Sequence, residues 1–519
     1  MIGVVSSYQN HLARDLVLGA VRRSVSRSMA ELVAPADMEQ RDVLFGISPC
    51  DRLGESLLSW LRGTPRKLIM FGDMPTNFIA QFGATAVTWP EPAEFWARSS
   101  VAKAYHSAES LAHVCYQAAA KPFGAADWSR ALERFDFRDE WNNLGFGAIR
   151  VDQSIWALAT KVRVPKENEL AQIVWEGEVI ASYAALFQVG DSSVLWVNRP
   201  VGSIDSFEWR LVEYFLAHWQ KDILPCVPVI SEIPLGYDAA ITMRLDCDED
   251  IMSARPLWEA YRGMGVPLSL AIHTNNLYDD VHNDFLREFC DAGGALMSHT
   301  ATHAPNFGGS HEAALAEGLE SRDRIFAVTG VSVDYAVSPF HQAPHYALQG
   351  LCDAGYKGCI GGIIRNDPEF LMARGGELAG LPQGFVGHSQ QTMLHGDCML
   401  AEGDPLAVFK MAFDRAVETR TLFGYLDHPF SGRYTYGWVD EEARVEAHRK
   451  FIAYMRQRSG NPWFIDEVMA LNFLSARSAI CLSCSTSGIN VSVPNFGNVV
   501  FAVEYKGSLH PLKNGTLLG

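Results

Sequence analysis

The sequence predicts an α/β protein built around a parallel sheet of repeated βα units, a closed or partly closed barrel over residues 236–477. Two observations point there. Short apolar runs alternate with helical stretches through that span, the pattern of strands joined by crossover helices. Each cluster rich in Asp and His falls just after one of those runs, and parallel α/β barrels carry their sites at the C-terminal ends of strands. With 519 residues the chain has room for two or three domains, so flanking units are expected.

The first stretch, residues 1–235, reads as an α/β accessory domain. Asp42 to Gly46 and Lys67 to Gly72 have the look of buried parallel strands ending in glycine, with a helix from Leu53 to Leu61 between them. Glu178 to Phe187 and Ser193 to Asn198 flank Gly190-Asp191, a hairpin signature. Asp205 and Glu208 have capping-box spacing at the head of an apolar-striped helix that runs to Trp219.

In the central stretch, strands are expected at Ala239 to Leu245, Pro267 to His273, Gly294 to Ser298, Asp334 to Val337 and Thr421 to Leu426. Helices are expected near Pro256 to Tyr261, Asp280 to Ala292, Glu312 to Val328 and Asp440 to Arg458. The last stretch, residues 478–519, is rich in Ser, Val, Gly and Asn and reads as a small β module. Cys481 and Cys484 have metal-like spacing but no second pair.

Composition excludes several classes of function. Lys plus Arg number 43 against 60 Asp plus Glu, a formal charge of −17, which argues against a nucleic-acid ligand. No segment offers the roughly eighteen apolar residues of a membrane span. The N-terminus lacks a signal-peptide pattern, and ten scattered cysteines suit a reducing compartment, so a cytoplasmic location is expected.

Four polar clusters follow predicted strands. They are Arg244-Leu-Asp246-Cys-Asp248, His299-Thr-Ala-Thr-His303, Ser338-Pro-Phe340-His341-Gln-Ala-Pro-His345-Tyr346, and Asp427-His428-Pro429. Two histidines four residues apart can face one ion, on a helical turn or in a loop that tightens into a turn. Acids crowded at a strand end repel unless a cation joins them. Two histidines and one aspartate with open positions form the ligand pattern of a catalytic metal site. A further polar stretch, Ser389 to Asp397 with His395 in it, could line the pocket, but reads better as a solvated loop.

In their order, Asp246-Cys-Asp248, His299-Thr-Ala-Thr-His303 and Leu426-Asp-His428 resemble the motifs of the polysaccharide deacetylase family, the NodB-homology group related to carbohydrate esterase family 4. Asn461-Pro-Trp463-Phe-Ile-Asp-Glu467 resembles the end of that domain. The resemblance implies a deformed (β/α) barrel of NodB type and a divalent metal, zinc first, held by Asp248, His299 and His303. It also implies Asp246 as general base and His428 as general acid. Phe340, His341, His345 and Tyr346 are candidate substrate contacts. The family's third motif places an Arg before Pro to brace the catalytic Asp. Here that position is Ser338, and Arg244 or Arg365 is expected to take the role. Residues 1–235 resemble the flavodoxin-like or amidotransferase-like accessory domains of some large deacetylases, without a Gly-x-Cys-x-Gly nucleophile elbow. The implied activity is removal of N-acetyl groups from amino sugars of a saccharide, and the absent export signal suggests glycan precursors such as an O-antigen or capsule. A deformylase or other amidase on the same metal site, or a non-catalytic carbohydrate-binding protein, is the competing expectation.

Overall fold

The computed structural model describes residues 1–7, 10–91, 112–132, 153–361, 372–486, 488–515 and 517–518. Arg365 lies outside them.

The two glycine-ended runs near the N-terminus are indeed neighbouring parallel strands, Val43–Ile47 and Lys67–Phe71, with the helix Asp51–Leu61 between them. They sit in a nine-stranded mixed sheet. Its parallel half also contains Ile2–Ser6, Ala30–Leu32 and Ser192–Val197, and its other half is antiparallel around the hairpin Glu178–Val189/Ser192–Val197. The expected capping box does not form. The helix Trp209–Ala217 starts later and has no side-chain cap, because both carboxylates are used elsewhere in the interior. Asp205 takes a bidentate pair from Arg199, with Nη1–Oδ1 2.9 Å and Nη2–Oδ2 3.0 Å, and Glu208 pairs with Arg130 at 2.5 Å. A buried guanidinium demands a counter-charge far more strongly than a helix end demands a cap.

The central sheet follows the βα reading. The sheet also holds Gly376–Glu377, antiparallel at its edge, and Pro462–Phe464; we label its other strands β1 (Ala239–Cys247), β2 (Ser269–Ile272), β3 (Ala295–Ser298), β4 (Tyr335–Val337), β5 (Gly358–Gly361), β6 (Val386–Ser389), β7 (Thr392–Met393) and β8 (Phe423–Asp427). They are ordered β6-β5-β4-β3-β2-β1-β8-β7, with every neighbouring pair parallel. Only Gln390 and Gln391 separate β6 from β7. Their N–H groups donate to Gly361 on β5 (3.2 Å) and Gly424 on β8 (3.1 Å), so residues 386–393 hydrogen-bond to both ends of the ladder. That stretch is not a solvated loop. Its residues carry no apolar alternation, yet most of its side chains are buried.

The N-terminal sheet, the central unit and the C-terminal strands share one apolar core, which includes Phe45, Trp209, Leu471, Phe473 and Phe501. Glu213 on the helix Trp209–Ala217 accepts from Arg374 Nε (2.8 Å) and Nη2 (2.6 Å), and all of these atoms are buried. At the far end Ala502–Tyr505 pairs with Val229–Ile230. Among the described residues no helix is long and apolar enough to cross a membrane.

Candidate functional site

Because β1 to β8 run parallel, their C-terminal ends share one edge, and residues of all four polar clusters converge there on a cavity of about 760 Å³. Asp246 lies at the end of β1 and Asp248 just beyond it. His299 follows β3, and His428 follows β8. The His299–His303 stretch is a loop turned by left-handed residues rather than a helix. Thr300 has φ +68° and His303 φ +55°. Glu317, on the helix His311–Thr329, pins this loop by accepting from the N–H groups of Ala301 (2.8 Å) and Thr302 (2.9 Å).

Three acceptor atoms face one point. His299 Nε2 is 3.1 Å from Asp248 Oδ1, His303 Nε2 is 3.4 Å from the same oxygen, and the two Nε2 atoms are 3.1 Å apart. Ligands about 2.0–2.1 Å from one tetrahedral cation stand roughly 3.3–3.4 Å apart, so the triangle fits a divalent metal. Two further features agree. Asp248 Oδ1 is buried with no hydrogen-bond partner. His299 Nδ1 lies 3.0 Å from the Val337 carbonyl, an outer contact that fixes the ring and leaves Nε2 as a lone pair. A second cluster, His395, Asp427 and His428, differs in its carboxylate. Asp427 Oδ2 is taken by His448 Nε2 (3.0 Å) and Arg444 Nε (3.2 Å), and Oδ1 accepts from the His428 N–H (2.8 Å). Its charge and lone pairs are already satisfied by protein.

Asp246 stands beside the triangle as a braced carboxylate. Arg244, two residues earlier on the same strand face and fully buried, donates Nε to Oδ1 (2.7 Å) and Nη2 to Oδ2 (3.3 Å). Its remaining Nη1 contacts Gln390 Oε1 and lies 3.8 Å from Glu467 Oε1, which belongs to the expected domain end. Burial pushes the Asp246 carboxyl up, but Arg244 and the nearby His299 and His428 outweigh it and hold it below the usual range. Asp248 is also opposed by burial and is held well below the usual range by His428 and His299. His303 is pushed down to about 4 by burial and by His299, so it presents a neutral ring suited to a ligand.

The opposite wall carries His428. Its Nε2 points back across the cavity, 3.4 Å from Asp248 Oδ2, and its ring stacks on Tyr436 with centroids 4.2 Å apart. Sequence reasoning missed Tyr436, His273 and the role of His395. Each reaches the cavity through topology rather than motif. His273 Nδ1, 2.9 Å from the Asp248 carbonyl, follows β2 and could have been found as a histidine at a strand end.

The third cluster divides. Phe340 and His341 line the cavity, with the Phe340 ring 4.7 Å from that of His303. His341 is buried, which pushes its ring down to about 3. His345 and Tyr346 are not among the lining residues. Pro344 caps the helix His345–Asp353 and turns both away. The His345 ring reaches the Gly380 carbonyl (3.2 Å) and the Tyr346 hydroxyl donates to the Asn306 carbonyl (3.0 Å). Five non-glycine residues with φ between +51° and +68° surround this cavity: Thr300, His303, Phe340, His341 and Tyr436. Such backbone costs on the order of 1–3 kcal/mol per residue and gathers at functional sites.

No family model and no curated protein matches the chain. Solved structures to which it is similar include deacetylases and esterases of carbohydrate esterase family 4. A putative polysaccharide deacetylase from Mycobacterium smegmatis is 14% identical with a TM-score of 0.38, over 49% of this chain and 96% of that one. The chitin deacetylase of the fungal pathogen Colletotrichum lindemuthianum is 14% identical with a TM-score of 0.31, over 46% and 92%. A family 4 carbohydrate esterase from Bacillus anthracis is 15% identical with a TM-score of 0.29, over 45% and 83%.

Proposed function

We propose that the chain is a metal-dependent hydrolase that removes the N-acetyl group from amino sugars of a saccharide, on a NodB-type barrel formed by β1 to β8. The observation that carries this reading is the convergence, in one cavity, of a metal-sized triangle, a braced carboxylate and an opposed imidazole. Asp248, His299 and His303 hold the cation, zinc as first choice. When bound, a divalent cation polarises an amide carbonyl and brings the pKa of water toward neutrality. Asp246, kept anionic by Arg244, takes the proton of the attacking water. The bond between carbonyl carbon and nitrogen then breaks, and the nitrogen must leave protonated because an amide anion is a very poor leaving group. His428, facing the triangle from the opposite wall, gives that proton. Phe340 and Tyr436 supply apolar faces for a sugar ring between the two walls.

The test is a screen of N-acetylhexosamines and of lipid- or nucleotide-linked N-acetylated oligosaccharides for released acetate, with matched formamides alongside. In a substrate that turns over, His428→Ala should lower the amide rate severely and spare a sugar O-acetate, whose alkoxide needs less help from an acid. Equal losses on amide and ester would remove the acid role, and formate release alone would make the enzyme a deformylase. The expected setting, a glycan precursor such as an O-antigen or capsule unit, would be supported by preference for a lipid- or nucleotide-linked sugar.

A further inference from the structure

The acid side of the cavity contains one contact that the reaction scheme does not use. β7 runs parallel to β8 with Thr392 opposite Tyr425 and Met393 opposite Leu426, and Leu394 N–H continues the ladder to the Leu426 carbonyl at 2.8 Å. Carried on by two residues, this register sets His395 beside His428. The two rings meet with His395 Nε2 2.7 Å from His428 Nδ1, and both residues are more than nine-tenths buried.

We infer that His395 is a positioning residue for His428. It accepts the Nδ1–H of His428 on its own Nε2 and thereby keeps the Nε2–H of His428 aimed into the cavity. The inference rests on the reading of His428 as the acid. An imidazolium that gives up its Nε2 proton must keep the other on Nδ1, and the atom facing Nδ1 decides whether that proton is held. Here it is an imidazole nitrogen rather than a carboxylate. The carboxylate behind the pair, Asp427, has its Oδ1 3.6 Å from His395 Nε2, and that oxygen already accepts from the His428 backbone N–H and from Trp438 Nε1 (3.4 Å).

His395 has little freedom to move off. Gly396 N–H donates to the Tyr436 carbonyl (3.1 Å). The next loop passes so close that a Cβ on Gly396 would stand 2.3 Å from the Gly437 carbonyl, and one on Gly437 2.1 Å from Asp397 Oδ1. Tyr436 closes the remaining side, 5.1 Å from the His395 ring and stacked on His428. The two loops lock each other, and the histidine pair is held between them.

The test has two arms. In zinc-reconstituted protein labelled with ¹⁵N-histidine, the imidazole resonances of His428, assigned by loss in His428→Ala, should show a protonated Nδ1 that loses its hydrogen-bonded proton signal in His395→Ala. In kinetics, His395→Ala should lower kcat on an N-acetyl glycoside about 10- to 100-fold with KM and metal content near wild type, and should cost a sugar O-acetate much less. His395→Gln, whose side-chain oxygen can accept the same proton, should recover part of the amide rate. A bare Nδ1 on His428, equal losses on amide and ester, or a glutamine variant no better than alanine would each overturn the inference. A protein that releases acetate from nothing would sink the functional reading while the resonance arm still decides the positioning.

Discussion

Replacing Arg244 by lysine isolates the brace on Asp246, the proposed general base. The guanidinium makes two charge-assisted contacts to Asp246, 2.7 Å and 3.3 Å, in a fully buried setting. Lysine keeps the charge but loses the planar fork, so at most one contact survives and Asp246 is free to rotate. Losing one hydrogen bond to a charged group costs about 1.5–3 kcal/mol. If that cost falls on the transition state, turnover drops about 10- to 100-fold. The metal triangle does not touch Arg244, so Arg244→Lys should retain its metal. Acetate release, elemental analysis and a thermal melt of the same preparation check all three points. A lysine variant with more than half the wild-type turnover and intact metal would refute the brace. So would one whose loss follows loss of metal.

Four further outcomes are expected. Asp246→Asn should cut turnover by about 10²-fold or more while metal content stays near wild type; loss of metal would exchange the roles of Asp246 and Asp248. Elemental analysis of a chelator-free preparation should find one equivalent of a divalent metal per chain, and joint His299→Ala and His303→Ala should abolish it. Glu213→Gln leaves Arg374 buried without its counter-charge and should destabilise the protein by about 3–5 kcal/mol, read as a lowered denaturation midpoint with metal content unchanged. In acid, Asp427, buried but held down to about 2 by Arg444 and His448, contributes stability that is present above pH 4. That contribution, on the order of 2 kcal/mol, should be lost as pH falls from 4 toward 2.

What was legible in the sequence was whatever could be written as a short string at a strand end. Asp246, Asp248, His299 and His428 each sit within two residues of such an end, His303 follows four residues after His299, and the βα alternation that orders them is a local signal. Arg244 was legible too, as a cation two residues before the base on the same strand face. His395 and Gln390 were not, because β6 and β7 carry a polar sequence, Gly-His-Ser-Gln-Gln-Thr-Met, that is buried only by its place between β5 and β8. His345 and Tyr346 failed for the opposite reason. Nearness in sequence suggested nearness in space, and a proline-started helix separated them from His341. The same holds for Asp205 and Glu208, whose spacing fits a cap but whose carboxylates answer Arg199 and Arg130.

The two walls of the cavity are stiffened by different means, and the difference fits the task proposed for each. The metal wall has to present lone pairs, so its histidines are fixed from behind by a backbone carbonyl, Val337 on His299, and by Glu317 holding the loop. The acid wall has to present a proton, so its histidine is met on Nδ1 by another ring and covered by Tyr436. Behind it Asp427 is engaged by Arg444 and by the buried chain His448, Tyr261 and Tyr425, with contacts of 3.0, 2.8 and 2.7 Å. Left-handed residues appear on both walls, at Thr300, His303, Phe340, His341 and Tyr436. Backbone of that kind persists only where the surroundings over-determine it. Here the surroundings are interlocked loops and buried ion pairs, and what they hold in place is a ligand triangle and an imidazole that line one cavity, with His428 Nε2 3.4 Å from Asp248 Oδ2.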